Sequence, residues 1–173
     1  MRRLVSGKVI FYLLLCLALD VSVMPFFRFD FFYPPGFLYL MVFYSAFVWH
    51  GRHTLALGIV AGLLKDLVSL QPLGIETAVL GAASFGLVLM IQTVDRESLV
   101  NRFLTCFIFV LSVSFLTWAL SGFLVSSSPV SWYPVSACLK LAFSTSMAMP
   151  VFFYFTGRWF KEQQHLKQYE LFG

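Results

Sequence analysis

The sequence predicts an all-α integral membrane protein, a six-helix transmembrane bundle with both termini in the cytoplasm. Three observations carry this. Of the 173 residues, 60% are hydrophobic and only 12% charged, about half the charge fraction of a soluble domain. Apolar runs of about twenty residues recur along the whole length, as transmembrane helices require. The cations between those runs fall almost entirely on one side.

Spans are placed near 8–27, 36–50, 54–71, 73–93, 102–125 and 133–157. The first follows Arg2-Arg3 and looks superficially like a signal peptide. It lacks an A-x-A-like cleavage site and runs on through Asp20 to Pro25, so it reads as a retained helix. The second opens after Pro34-Pro35, which is tolerated because the first amides of a helix have no intrahelical partner. It is short unless the preceding aromatic run also enters the bilayer. The third and fourth are joined by a tight turn at Gln71-Pro72 and form a helical hairpin. Together the six make one membrane domain, 1–157. In the remaining 158–173, Trp159, Leu166 and Tyr169 recur at roughly helical spacing among polar residues, the pattern of an amphipathic tail on the inner membrane surface. The aromatic segment 26–33 is expected in the headgroup region or under a partner protein.

With both termini inside, the cytoplasmic segments hold Arg2, Arg3, Lys8, Arg52, Arg96, Arg102, Arg158, Lys161 and Lys167, and the outer loops hold only Arg28. That bias orients the chain. Trp49 and Trp159 then mark the inner interface, and Trp132 with Tyr133 the outer one. The net charge of +4 is accounted for by this orientation and does not imply nucleic-acid binding. Cys16, Cys106 and Cys138 lie in apolar runs without metal-ligand spacing and read as packing residues. His50, His53 and His165 fall at the cytoplasmic edge, and no GxSxG or HExxH occurs. The sequence therefore offers no catalytic residues, no metal ligands and no cofactor site.

Asp20, Lys65, Asp66, Glu76 and Lys140 lie within the spans. At a rise of about 1.5 Å per residue, all five come within roughly 10 Å of the outer surface. A charge at the centre of a helix in lipid costs about 3 kcal/mol on insertion scales, and pairing within one layer offsets much of that. The expected buried polar layer pairs Lys65 with Glu76 across the hairpin and sets Asp20 or Asp66 against Lys140. Alternatively, the two lysines snorkel outward. Aspartate is too short to do so, which turns Asp20 and Asp66 inward. Gly58, Gly62 and Asp66 recur at i, i+4 and i+8, a small-residue stripe that admits a close neighbour and ends in a polar contact.

Gly62, Leu63, Leu64, Asp66, Pro72, Leu73, Gly74 and Ala78 together resemble the central hairpin of the rod shape-determining MreD family. Lys65 and Glu76 depart from the family pattern, as does the Pro-Pro-Gly opening of the second span. The resemblance implies a non-enzymatic component of bacterial cell-wall elongation in the cytoplasmic (inner) membrane. The partners it implies are an MreC-like bitopic protein, the SEDS glycosyltransferase and transpeptidase of the elongation complex, and MreB filaments indirectly. Gly58, from its spacing, and Gly62, Asp66, Pro72, Leu73 and Gly74, from the resembling hairpin, are read as structural or interaction residues. The family is also similar in fold to the S-components of energy-coupling-factor transporters. The alternative function is thus a small-solute-binding transport subunit with an outward polar pocket, although the docking pattern of S-components is approached only by Ala18 and Ser22.

Overall fold

The computed structural model describes residues 2–26, 33–49, 51–69, 74–91, 98–125 and 133–160. They form six helices: α1 (Arg2–Phe26), α2 (Phe37–Val48), α3 (Gly51–Val68), α4 (Ile75–Ile91), α5 (Leu99–Val125) and α6 (Tyr133–Phe160). Residues 27–32 of the aromatic segment, Gln71, Pro72 and Leu73 of the hairpin turn, and the tail from 161 onward lie outside the described residues.

The shortest helix is the innermost. Every residue of α2 from Leu38 to Ala46 is buried, because its sequence is apolar on all sides and only a central position hides such a helix completely. It touches each of the other five helices. Phe43 anchors this contact, with ring centroids 4.9 Å from Phe47, 6.3 Å from Phe109 on α5 and 6.0 Å from Phe153 on α6. Aromatic pairs at such separations add to the gain from burial alone. Tyr12 on α1 reaches α6, where its hydroxyl lies 2.6 Å from Thr156 Oγ1 in a buried hydrogen bond.

The outside of the bundle is apolar as well. Leu67, Val100, Phe123, Phe143, Val151 and Phe155 are all exposed, an arrangement that hydrocarbon accommodates and water does not. Among the described residues, two helices contain stretches long and apolar enough to cross a membrane, Leu99–Phe123 and Val135–Trp159, while Val9–Ser22, Phe37–Val48 and Ile75–Ile91 are apolar but shorter. The short second span expected from the sequence is a short helix, and the six helices are unequal in length. With 12 residues, α2 rises only about 18 Å against a hydrocarbon core of about 30 Å. α3 is interrupted chemically by Arg52, Lys65 and Asp66.

The tightest packing joins α3 and α4. The buried residues of α3 are Thr54, Leu57, Gly58, Ala61, Gly62 and Asp66, a single stripe at helical spacing. Opposite it run Ser84, Leu80 and Val79 of α4, down to Glu76 and Ile75. The two helices are antiparallel: Gly51 faces Val88, Gly58 faces Ser84 and Leu80, and Gly62 faces Thr77 and Glu76. A Cβ at Gly62 would stand 2.5 Å from Thr77 Cα and 2.9 Å from the Glu76 carbonyl oxygen. Both are backbone atoms that no rotamer change can move aside.

Gly62→Ala is thus expected to push the helices apart and destabilise the protein by about 1–3 kcal/mol or more. Gly86→Ala, where nothing lies within 4 Å, is expected to be neutral or to gain up to about 1 kcal/mol from helix propensity. Thermal unfolding of the two purified variants in one detergent checks the contrast, and equal midpoints would contradict it.

Candidate functional site

Close approach at Gly62 brings the first turn of α4 to the last turn of α3, where Asp66 is only 2% exposed. Its partners are mostly backbone amides. Gly74 N–H donates to Oδ2 at 3.1 Å, Glu76 N–H to Oδ1 at 3.1 Å and Thr77 N–H to Oδ2 at 3.0 Å. The Thr77 hydroxyl adds a donor to Oδ2 at 2.5 Å. The first amides of a helix have no acceptor within the helix, and the helix dipole concentrates positive potential there. A carboxylate from the neighbouring helix satisfies both, and such charge-assisted bonds are the stronger kind. Gly74 makes the geometry possible with φ of +103°, a conformation open to glycine at little cost.

Asp20 does the same for α2. Phe37 N–H donates to its Oδ1 at 2.7 Å and Leu38 N–H to its Oδ2 at 3.2 Å. One residue earlier, Gly36 N–H donates to Thr145 Oγ1 on α6 at 3.1 Å. Gly36 itself supplies no side-chain cap, so α1 and α6 together cap the central helix.

Lys65 sits between these two caps. Its ammonium lies 2.9 Å from Glu76 Oε1 on α4, donates to the Tyr39 hydroxyl on α2, and stands 4.1 Å from the centroid of the Tyr39 ring, within range of a cation–π contact. One lysine therefore ties three helices together. Its side chain is 26% exposed and that of Glu76 6%.

Asp20, Lys65, Asp66 and Glu76 thus gather at one end of the bundle, with α3, α4 and the start of α2. Lys140 does not join a buried layer: it is exposed on α6, and the oxygens of Asp20 and Asp66 go to amides and to the Thr77 hydroxyl instead. Helical rise places a residue at a depth but leaves its facing open, and it is the orphan amides of α2 and α4 that engage the two carboxylates. Pro72 and Leu73 lie outside the described residues. Sequence reasoning missed Tyr39, Thr77 and Thr145. The signal for Thr77 was present, since a helix starting just after Gly74 must find acceptors for its first amides. Tyr39 and Thr145 carried none, because their roles depend on how distant helices pack.

Chemically, the site holds helices. Among the described residues no group of three or more His, Cys, Asp or Glu residues is placed to hold a metal ion, and the cysteines are free, with Cys16 and Cys106 buried.

Asp66→Ala leaves three amides and a hydroxyl without their acceptor, at about 1–3 kcal/mol for each donor that stays buried. The variant is expected to lose most of its folded yield. Asp66→Asn keeps one carbonyl oxygen, which can take the Oδ2 position and its three donors, so it is expected to be much milder. Folded yield and unfolding midpoint in detergent rank the two, and equal loss would contradict the cap. In a separate test, Lys65→Glu and Glu76→Lys are each expected to destabilise more than the double exchange. Recovery should be incomplete, because glutamate cannot make the contact with the Tyr39 ring.

No curated protein and no solved structure matches the chain. A match does come from the protein family described as rod shape-determining protein MreD, over residues 1–157. It takes in α1 to α5 and nearly all of α6, the caps and glycine contacts included, and the chain belongs to the MreD family.

Proposed function

We propose that this protein is a non-enzymatic scaffold of the bacterial cell-wall elongation complex, crossing the cytoplasmic (inner) membrane six times with both termini inside. In this reading 1–157 is a single membrane domain and 158–173 a tail resting on the inner surface. It acts with an MreC-like bitopic protein and with the SEDS glycosyltransferase and transpeptidase, and reaches MreB filaments indirectly. The observation that carries the proposal is the family match over residues 1–157.

The site geometry is in keeping with a scaffold. Asp20 and Asp66 accept from helix amides at both of their oxygens, which is a structural use of the two acids. That also counts against a solute-binding transport subunit, whose pocket these acids would line. The exposed faces of α1, α3, α5 and α6 carry large apolar side chains, the surface on which a partner helix packs within a bilayer.

Depletion in a rod-shaped host is expected to turn the cells round, and normal rods after complete depletion would overturn the proposal. Detergent co-purification is expected to bring an MreC-like bitopic protein. Recovery of a transporter energising module in its place would support the transport reading.

A further inference from the structure

At the end of the bundle that holds the two caps, the helices stop at two different heights. Contacts along α2 set the register of its neighbours. On α6, Thr145 accepts from Gly36 and Phe153 packs on Tyr44, a parallel register with the same offset at both contacts. α6 begins at Tyr133, so it extends about 18 Å beyond Gly36. On α5, Phe109 packs on Phe43 and Arg102 stands near the Phe47 ring, an antiparallel register that sets Phe115 level with Phe37. α5 continues to Val125, about 15 Å further. By contrast, α3 meets Tyr39 at Lys65 and ends at Val68, while α4 begins at Ile75, beside the Glu76 that pairs with Lys65. α2, α3 and α4 therefore stop together at the level of the caps, and α5 and α6 rise well past them.

The apolar surface has the same step. α5 exposes Val100 near its start and Phe123 near its end, with Leu104, Phe115, Leu116 and Leu120 between them, a sheath about 35 Å tall. α3 exposes Ile59, Val60, Leu63 and Leu67, but Arg52 and Ser69 bound that face within about 25 Å. The 17 residues of α4 span about the same height. A flat hydrocarbon slab of about 30 Å fits neither side. Tilting the whole bundle shortens both sides by the same fraction and keeps the step. The two sides are separate flanks, since among the described residues α3 and α5 do not touch and α4 lies between them.

Charge shows where the membrane surface lies on each flank. A surface drawn level with the end of α5 would leave Asp20, Lys65, Asp66 and Glu76 about 15 Å inside hydrocarbon, with Lys65 partly exposed to it, and charge at such depth is costly. A surface drawn everywhere at the caps would leave Leu120 and Phe123 in water. Both penalties vanish if the leaflet is thin beside α3 and α4 and of full height beside α5. Thinning a bilayer is the milder cost, a modest one for each ångström of mismatch.

We propose that the α3–α4 flank is a lipid-binding surface that thins the adjoining leaflet, drawing phospholipid headgroups down to the level of the Asp66 cap while α5 holds the leaflet at its full height. This rests on the membrane-spanning reading above, but not on its orientation.

Depth measurement by spin label on the full chain in phosphatidylcholine vesicles tests it. A nitroxide carried by p-acetylphenylalanine leaves the native cysteines untouched and is placed singly at Leu67, Leu116, Phe123 and Ile108, all exposed. Oxygen concentrates in hydrocarbon and a water-soluble nickel chelate at the headgroups, so the two relaxation effects together read depth. By the register above, Leu67 and Leu116 stand at the same height in the bundle. The Leu67 label is nonetheless expected to be several-fold more accessible to nickel than the Leu116 label, and to match the Phe123 label. Equal depths at Leu67 and Leu116 overturn the proposal, whether both lie in hydrocarbon or both at headgroups with Phe123 in water. A Leu67 label that neither reagent reaches means that protein covers this flank, which overturns it as well. Ile108, level with Phe43, is the control and is expected to be rich in oxygen. Free nickel access there would overturn the membrane-spanning reading itself, and the proposal with it.

Discussion

The carboxylate of Asp66 set against the first amides of α4 is the interaction on which the rest of the arrangement depends. Each side of it would be unfavourable alone. A buried, ionised aspartate has lost its hydration, and the start of a helix in apolar surroundings has N–H groups with nothing to donate to. Together they solve both problems, with three amides and a hydroxyl converging on two oxygens. The solution carries a steric condition. The carboxylate reaches those amides only because Gly62, one turn earlier on the same face of α3, lets the backbone of Thr77 and Glu76 come into contact. Charge and close packing are therefore one requirement: bulk at position 62 would act on the cap, and loss of the cap would act on the packing.

The same device recurs one hairpin earlier, where Asp20 near the end of α1 caps α2. This matters because α2 is the buried centre of the bundle, and its N-terminus has no water to turn to. The two caps are cross-braced by Lys65, which contacts Tyr39 on α2 and Glu76 on α4. The remaining two helices are joined by other means. Neither α5 nor α6 contains an acidic residue. Their polar side chains are largely hydroxyls, several of which bond back to their own helix, such as Thr105 to Asn101 and Ser146 to Ala142. The bundle thus has a half braced by carboxylates, α1 to α4, and a half tied to it by aromatic contacts and by the Thr145 and Thr156 hydroxyls of α6.

Much of this was legible in the sequence because it depends on local spacing. Helical periodicity puts Gly58, Gly62 and Asp66 on one face, and a short turn must bring Glu76 near Lys65. Order along the chain fixes the six helices, apart from shifts of a few residues at their ends. What was not legible is facing across the bundle. Lys140 lies at a suitable depth yet is exposed, and Tyr39 becomes the neighbour of Lys65 only once α2 occupies the centre. A second difficulty is chemical. A reading that counts charged side chains looks for a cation opposite each acid, while the real partners are backbone N–H groups, which every sequence contains and none advertises. A helix beginning in apolar sequence with no capping side chain of its own, as α2 does after Gly36, is the clue that an acid elsewhere has been recruited.

The cap and the ion pair also constrain the chain in different ways. An acid capping backbone amides constrains itself, the turn and the glycine that allows the approach, and leaves the side chains of the capped helix largely free. Asp66, Gly62 and Gly74 are such positions. An ion pair constrains two side chains at once and can be replaced by any apolar pair of similar volume, often without loss of stability. Lys65 and Glu76 form that kind of contact. The cap is a demand of the backbone and follows the fold; the ion pair is a contact between side chains, held in place by Tyr39 against the ammonium.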